Sequence, residues 1–303
     1  LRERAIKKGY KLNEYGLFKG TKQIAGRTEE EVYKALGLQY VEPEMRENKG
    51  EIELAAKHQL PKLIGYKDLK GDLQTQTDWT DGNHSIMEMA LAAHKAGLEY
   101  IVITDHTRTL AMTGGADEKK LVRQMAEIDK VNLGLKKRGI KFRVLKGAEV
   151  NILPDGKLDI NDKTLAMLEV VGAAVHTNLK LSRVEQTQRV IRAMENPHVD
   201  IIFHLSDRIL QRREPIELDF DEILKAAKRT KTILEIDGEP NRLDLKDEHI
   251  RMAREVGIKF SIDSDAHDKR HFTFLEFGIS QARRGWCEAR DVINTLPVEK
   301  MLA

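Results

Sequence analysis

Between residues 70 and 290 the hydrophobic pattern alternates between two periods. Short Val/Ile-rich runs, apolar over several consecutive positions, predict strands over 72–77, 100–105, 143–151, 170–176, 201–205, 232–236 and 259–265. Such runs suit parallel strands buried on both faces. The stretches between them place apolar residues at helical spacing, over 85–96, 117–137, 182–195, 220–229 and 247–256, with a further helix over 273–284. The first of these opens at Ser85 with Glu88 three residues on, a capping-box pattern. Seven strands, each followed by crossover sequence, predict parallel βα units. Periodicity alone does not separate an open doubly wound sheet from a closed barrel.

The first 70 residues follow a different pattern. Residues 1–8 read as a helix end, and 11–20 alternate like a small hairpin strand. Thr28 with Glu31 predicts another capping box, opening a short helix to Leu36. The charged stretch that follows carries Pro43, which biases Glu42 towards extended backbone. It predicts a linker leading into an amphipathic stretch over 50–64. The expected organisation is a small α+β segment (1–40), a linker (41–69) and an α/β domain (70–303).

The polar residues at strand ends favour the barrel. They are Gln74 and Gln76, Asp105 and His106, Glu149, His176, His204, Glu235 or Asp237, and Asp265 with His267. In a (β/α) barrel those ends converge on one face, whereas the outer strands of an open sheet end too far apart to share a site. Asp265 and His267 are two apart, so both point to one face of an extended chain, as do Gln74 and Gln76. Asp81 follows in a Thr-Asp-Gly turn. Imidazole and carboxylate without thiolate suit Zn²⁺, Mn²⁺ or Fe²⁺ in hydrolytic sites, and one carboxylate such as Glu149 can bridge two ions. A single strand-end histidine is more often structural; the recurrence at so many strands is what points to a shared pocket.

Composition and charge narrow the class. Hydrophobic residues make up 41% and charged residues 33%, the balance of a soluble folded protein, and 5% aromatics weigh against a base-stacking platform. No apolar run approaches the roughly 18 residues of a membrane helix, and the charged opening residues are unlike a secretory signal. Cys287, alone, excludes internal disulfides and multi-thiolate zinc sites and suits a reducing, cytoplasmic setting. Residues 1–70 carry 15 Lys/Arg against 11 Asp/Glu, a balance of +4, and the remainder is slightly acidic. A chain opening at Leu1 is expected to be a piece of a longer protein.

The segments GDLQTQTDWTDG, with its SIMEMALAA helix, then YIVITDHT, LKGAEVNIL, GAAVHT, SIDSDAH and FGISQARRGW, in that order over residues 70–290, resemble the PHP domain of bacterial and archaeal family X DNA polymerases. The front segments LRERAIKKGYKLNEYGLF, GRTEEEVYKALGL and VEPEMRENKGEIELA resemble the end of the polymerase thumb and its linker. The resemblance implies a distorted (β/α)₇ barrel and a Mn²⁺-dependent 3′–5′ exonuclease acting on DNA in repair. It implies up to three ions, Mn²⁺ or Zn²⁺. One would be held by Gln74, Gln76, Glu149 and Asp265, a second by Glu149, His176 and His204, and a third by Asp81, His106 and His267. Glu149, His176 and Asp265 would then carry the chemistry. The polymerase's own metal-binding aspartates would precede Leu1, so the expected partners are DNA and upstream polymerase domains, and no membrane.

Arg208, Arg212 and Arg213 in SDRILQRRE, and Arg242 in PNRLDL, follow strand ends and are candidates for the DNA backbone. Arg283 and Arg284 read as a helix C-terminal pair. One departure stands out: the family's His-x-His is Gln74-Thr75-Gln76 here. A neutral amide oxygen is a poorer donor than imidazole to Zn²⁺ or Mn²⁺, which weakens the first ion. Two rival expectations follow, a small-molecule phosphoesterase like histidinol-phosphate phosphatase and a non-catalytic metal-binding scaffold.

Overall fold

The computed structural model describes residues 1–303 apart from the side chain of Ala111 and divides into two units, Leu1–Lys62 and Leu63–Ala303. In the first unit, α1 (Arg2–Lys7) precedes an antiparallel sheet of β1 (Lys11–Asn13), β2 (Gly16–Lys19) and β3 (Lys22–Ala25). The sheet depends on Gly16, whose positive φ and close approach to Ala25 O leave no room for a Cβ. The pattern over 11–20 predicts one strand; the third was hidden because Ala25 is the one buried residue in KQIA. Thr28 caps α2 (Glu29–Ala35) by accepting from Glu31 N at 3.3 Å. The Glu31 carboxylate turns back to Arg27 N, so the expected box closes one residue early. The stretch expected as a linker contains α3 (Glu51–Lys57), whose Ala55 is fully buried within this unit.

The second unit is built from βα repeats. Its strands are β4 (Gly71–Thr75), β5 (Tyr100–Ile103), β6 (Arg143–Asn151), β7 (Val170–Ala174), β8 (Ile201–Ile202), β9 (Ile233–Asp237) and β10 (Phe260–Asp263). The intervening helices are α4 (Ile86–Lys95), α5 (Glu118–Lys137), α6 (Asp162–Leu165), α7 (Arg183–Met194), α8 (Phe220–Thr230) and α9 (Asp247–Glu255), followed by α10 (Leu275–Arg284) and α11 (Val298–Met301). Ser85 and Glu88 form both halves of the box that opens α4. Among the described residues the strands pair in parallel in the order β10-β9-β8-β7-β6-β5-β4.

A backbone bridge and several side chains complete the ring between β4 and β10. Gln76 N donates to Ala266 O at 2.8 Å, and Leu73 N donates to the Asp263 carboxylate at 2.8 Å. Asn294 donates to both Gly71 O (2.8 Å) and Ile262 O (2.7 Å) and accepts from Ile262 N, standing in for missing ladder bonds. The result is a nearly closed barrel of seven parallel strands.

Alternation along the strands explains their unbroken apolar character. Leu73, Tyr100, Val102, Leu145, Val170, Ala174, Ile201 and Phe203 form one buried cluster, inside the ring. Their neighbours Ile101, Ile103, Val144, Val171, Ala173 and Ile202 join the helices in the larger outer core. Gly172 is required by close approach, since a Cβ there would lie 1.8 Å from the Phe203 ring. No helix among the described residues is long and apolar enough to cross a membrane.

Candidate metal centre

Each parallel strand delivers its last residues to one end of the ring. Glu149, near the end of β6, sits at the middle of the resulting cluster and is fully buried. Its Oε1 lies 2.9 Å from His176 Nε2, beyond β7, and 2.9 Å from His204 Nε2, beyond β8. Its Oε2 accepts from Gln74 Nε2 at 3.0 Å and Gln76 Nε2 at 2.9 Å, and lies 3.6 Å from His106 Nδ1. His106, after β5, and His267, after β10, each place Nε2 3.6 Å from the Asp81 carboxylate. His204 and Asp265 adopt positive φ, a costly conformation that turns the chain immediately past its strand.

The imidazoles are oriented by fixed acceptors. His176 Nδ1 lies 2.7 Å from Asn151 Oδ1. The Asn151 amide nitrogen is committed to Thr107 and Asp159, so its oxygen faces the ring and His176 must donate. His267 Nδ1 likewise donates to Asp265 O at 2.8 Å. In the neutral form both rings therefore turn Nε2 inward as the lone-pair nitrogen, the form that binds a metal. Asp105 holds the turn that carries Asp81: it accepts from Thr77 N (2.8 Å), Thr77 Oγ1 (2.6 Å), Thr80 Oγ1 (2.5 Å) and Gln124 Nε2 (2.5 Å).

Charge is concentrated here. Burial opposes ionisation of Glu149, but the surrounding imidazoles outweigh it and hold the carboxyl well below its usual range. Burial and Arg242 oppose protonation of His204, yet Glu149 carries its pKa up to about 9. Burial likewise opposes protonation of His267, and Asp265 and Asp81 push it up to about 10. His176 is lowered, chiefly by burial. Glu235 is pushed well above the carboxylate range by burial and the charge of Asp237, and Asp237 by burial and the charge of Asp265.

The donor set fits divalent cations at two places. Asp81, His106 and His267 offer one ligand atom each, all within 4.8 Å of one another, and so do His106, Glu149 and His176. His106 Nδ1 and His204 Nδ1 are buried without hydrogen-bond partners, as is Asp265 Oδ1. Of the expected sets, Asp81, His106 and His267 come together, and Glu149 gathers His176 and His204. Gln74 and Gln76 reach Glu149 through nitrogen, while the Asp265 carboxylate lies beside Arg242, 3.9 Å from its Nε.

The arginines are placed differently from expectation. Arg208 is 8% exposed and donates to Arg242 O and Leu243 O. Arg242 is drawn inward to Asp207 (2.9 Å) and Asp237 (3.7 Å). Backbone carbonyls hold Arg208, and surplus carboxylates at the strand ends capture Arg242, because a buried carboxylate without a cation is costly. Arg213 pairs with Asp207 at 2.6 Å, and Arg212 is exposed. The sequence reading missed Asn151 and the clamping part of Asp105. Asn151 lies two residues beyond Glu149 on the same strand, the spacing that singled out Asp265 and His267.

Comparison with known proteins agrees with this geometry. The family described as DNA polymerase beta thumb matches residues 1–47. The DNA polymerase/3′-5′ exonuclease PolX of Bacillus subtilis is 37% identical over 296 residues, covering 97% of this chain and 51% of that protein. The chain thus spans about half the length of that relative. A protein of Thermoanaerobacter sp. named "Probable phosphatase" is 30% identical over 208 residues, covering 64% of this chain and 78% of its own length. Among solved structures, the histidinol phosphate phosphatase of Lactococcus lactis, complexed with zinc, L-histidinol and phosphate, superposes with a TM-score of 0.52. Its sequence identity is 14%, over 71% of this chain and 93% of that one, so the likeness is one of fold.

Proposed function

The chain belongs to the family X DNA polymerases that carry a PHP domain, and from that premise we propose that its barrel is a metal-dependent phosphodiesterase removing nucleotides from DNA 3′ ends. The observation that carries the reading is the convergence of His106, His176, His204 and His267 with Glu149 and Asp81 at one end of the barrel. Divalent ions bound there would supply Lewis-acid charge to a phosphoryl group and acidify water, which suits Mn²⁺ or Zn²⁺ with imidazole and carboxylate donors.

The chain's own residues set the conditions for that chemistry. Asn151 and the Asp265 carbonyl fix the protons of His176 and His267 on the outer nitrogens. Glu149 supplies a buried negative charge shared by the imidazoles, and Asp105 holds Asp81 towards His106 and His267. We assign the chemistry to Glu149, His176 and Asp265. Arg212, exposed on the loop after β8, is the candidate for the DNA backbone.

The test is degradation of a 5′-labelled oligonucleotide in Mn²⁺, beside a phosphomonoester such as histidinol phosphate. Stepwise shortening from the 3′ end supports the proposal, and preference for the monoester overturns it in favour of the phosphatase reading. The amides on Glu149 favour a second reading, a scaffold that binds metal without cleaving. Bound ions with no cleavage of either substrate would select it.

A further inference from the structure

The two oxygens of Glu149 face unlike neighbours. Oε1 lies 2.9 Å from Nε2 of His176 and 2.9 Å from Nε2 of His204. With the Nδ1 proton of His176 held on Asn151, its Nε2 meets a carboxylate oxygen across that gap, a contact satisfied by a positive charge at Nε2, either a proton or a metal ion. Oε2 instead accepts two N–H groups, from Gln74 at 3.0 Å and Gln76 at 2.9 Å. A carboxylate oxygen has two lone-pair positions, so these amides fill it.

We propose that the pocket is a two-ion centre in which the Gln74 and Gln76 amides take the place of a third ion on Glu149 Oε2. This rests on the metal-centre reading above and sets its stoichiometry. An ion shared by Glu149 Oε2 and the two glutamines would need amide oxygen where each now presents nitrogen. Both side chains would have to turn over and give up charge-assisted bonds in a site with no exposed surface at either residue. The backbone gives little freedom to compensate, since Gln76 N is held on Ala266 O at 2.8 Å and Thr75 N on Thr104 Oγ1 at 2.9 Å. The fourth member of the expected set, Asp265, has Arg242 beside it, a fixed cation anchored on Asp207. Imidazole at position 76 would change the chemistry, because its nitrogen is a stronger donor to Zn²⁺ than a neutral amide oxygen.

The experiment counts ions on the intact 303-residue chain, equilibrated by dialysis against Mn²⁺, Zn²⁺ and Mg²⁺ in turn and measured by elemental analysis. The expected result is two Mn²⁺ or two Zn²⁺ per chain, rising to three Zn²⁺ in Gln76→His. Three ions on the unaltered chain would overturn the proposal. They would place the extra ion on the buried, partner-free oxygens of Gln74 and Gln76, most tellingly if Mg²⁺ filled that position. A Gln76→His chain that melts normally yet still binds two would overturn it as well, since the amide would not be what excludes the ion. One ion would overturn the count and leave the centre standing; none would remove both readings together. The count on the unaltered chain decides the matter even if the variant fails to fold.

Discussion

The two flanks of the pocket are built from matching positions and reach opposite electrostatic ends. On one flank Asp81, His106 and His267 converge with their nearest donor atoms 3.6 Å apart, too far for hydrogen bonds and well spaced for a shared ion. On the other, Gln74 and Gln76 close on Glu149 at 3.0 and 2.9 Å with hydrogens between them. Both flanks lie at the C-terminal ends of neighbouring strands, and each faces a carboxylate, exposed Asp81 on one and buried Glu149 on the other. The lesson is that strand-end placement makes a pocket, but the valence of each donor atom decides whether a cation or a proton fills it.

Breaking the shared anchor should have the largest effect. Glu149→Gln removes the charge on which both flanks depend, and metal-dependent hydrolysis is expected to fall by at least ~10³-fold, read by single-turnover cleavage of labelled DNA. His106→Ala strikes the imidazole flank alone. Since His106 belongs to both three-donor groups, it should lower Mn²⁺ occupancy at both, with a cleavage loss of about 10²-fold or more. Occupancy left intact in that variant would show that the flanks are not distinct in kind.

Asn151→Ala frees His176 to change tautomer and should weaken Mn²⁺ binding by roughly 10- to 100-fold in a calorimetric titration. An unchanged affinity would mean the ring is oriented by Glu149 instead. A pH series on the metal-free chain tests the imidazole flank without any ion. His204 is raised from 6.5 to about 9, so its contribution is whole below pH 6.5 and is lost as pH rises towards 9. The melting temperature of the chelated protein should therefore fall across that window, by a loss on the order of 2 kcal/mol. Flat melting between pH 6.5 and 9 would contradict the pairing of His204 with Glu149.

The smallest effect on ion binding is expected at the amide flank. Gln74→Leu removes one N–H from a buried carboxylate, which should cost about 1.5–3 kcal/mol in stability while changing Mn²⁺ affinity less than ~3-fold. Parallel losses in both measurements would mean that Gln74 ligates an ion, contrary to the two-ion count.

Much of the architecture was written in the chain as pattern. Runs such as YIVITDH and LEVVGAAVH are apolar on both strand faces, which specifies buried parallel strands, and their final acids and imidazoles specify where a site must lie. Ser85 and Glu88 announced a helix start because a cap is a local hydrogen bond, complete within four residues. The third strand of the first unit escaped because its stability comes from the partner strand rather than from its own apolar content.

Other features depend on contacts between distant segments. Asn294 closes the seam between strands whose facing residues lie about 190 positions apart in the chain, and no local signal marks it for that part. Arg208 and Arg242 look like DNA contacts in sequence, yet neighbouring carbonyls and carboxylates turn them inward. The glutamines were legible as candidate ligands, but only their packing against Glu149 chose nitrogen over oxygen. Residue type and spacing are properties of the chain; the direction of a hydrogen bond is a property of what lies opposite it, and only the fold supplies the opposite side.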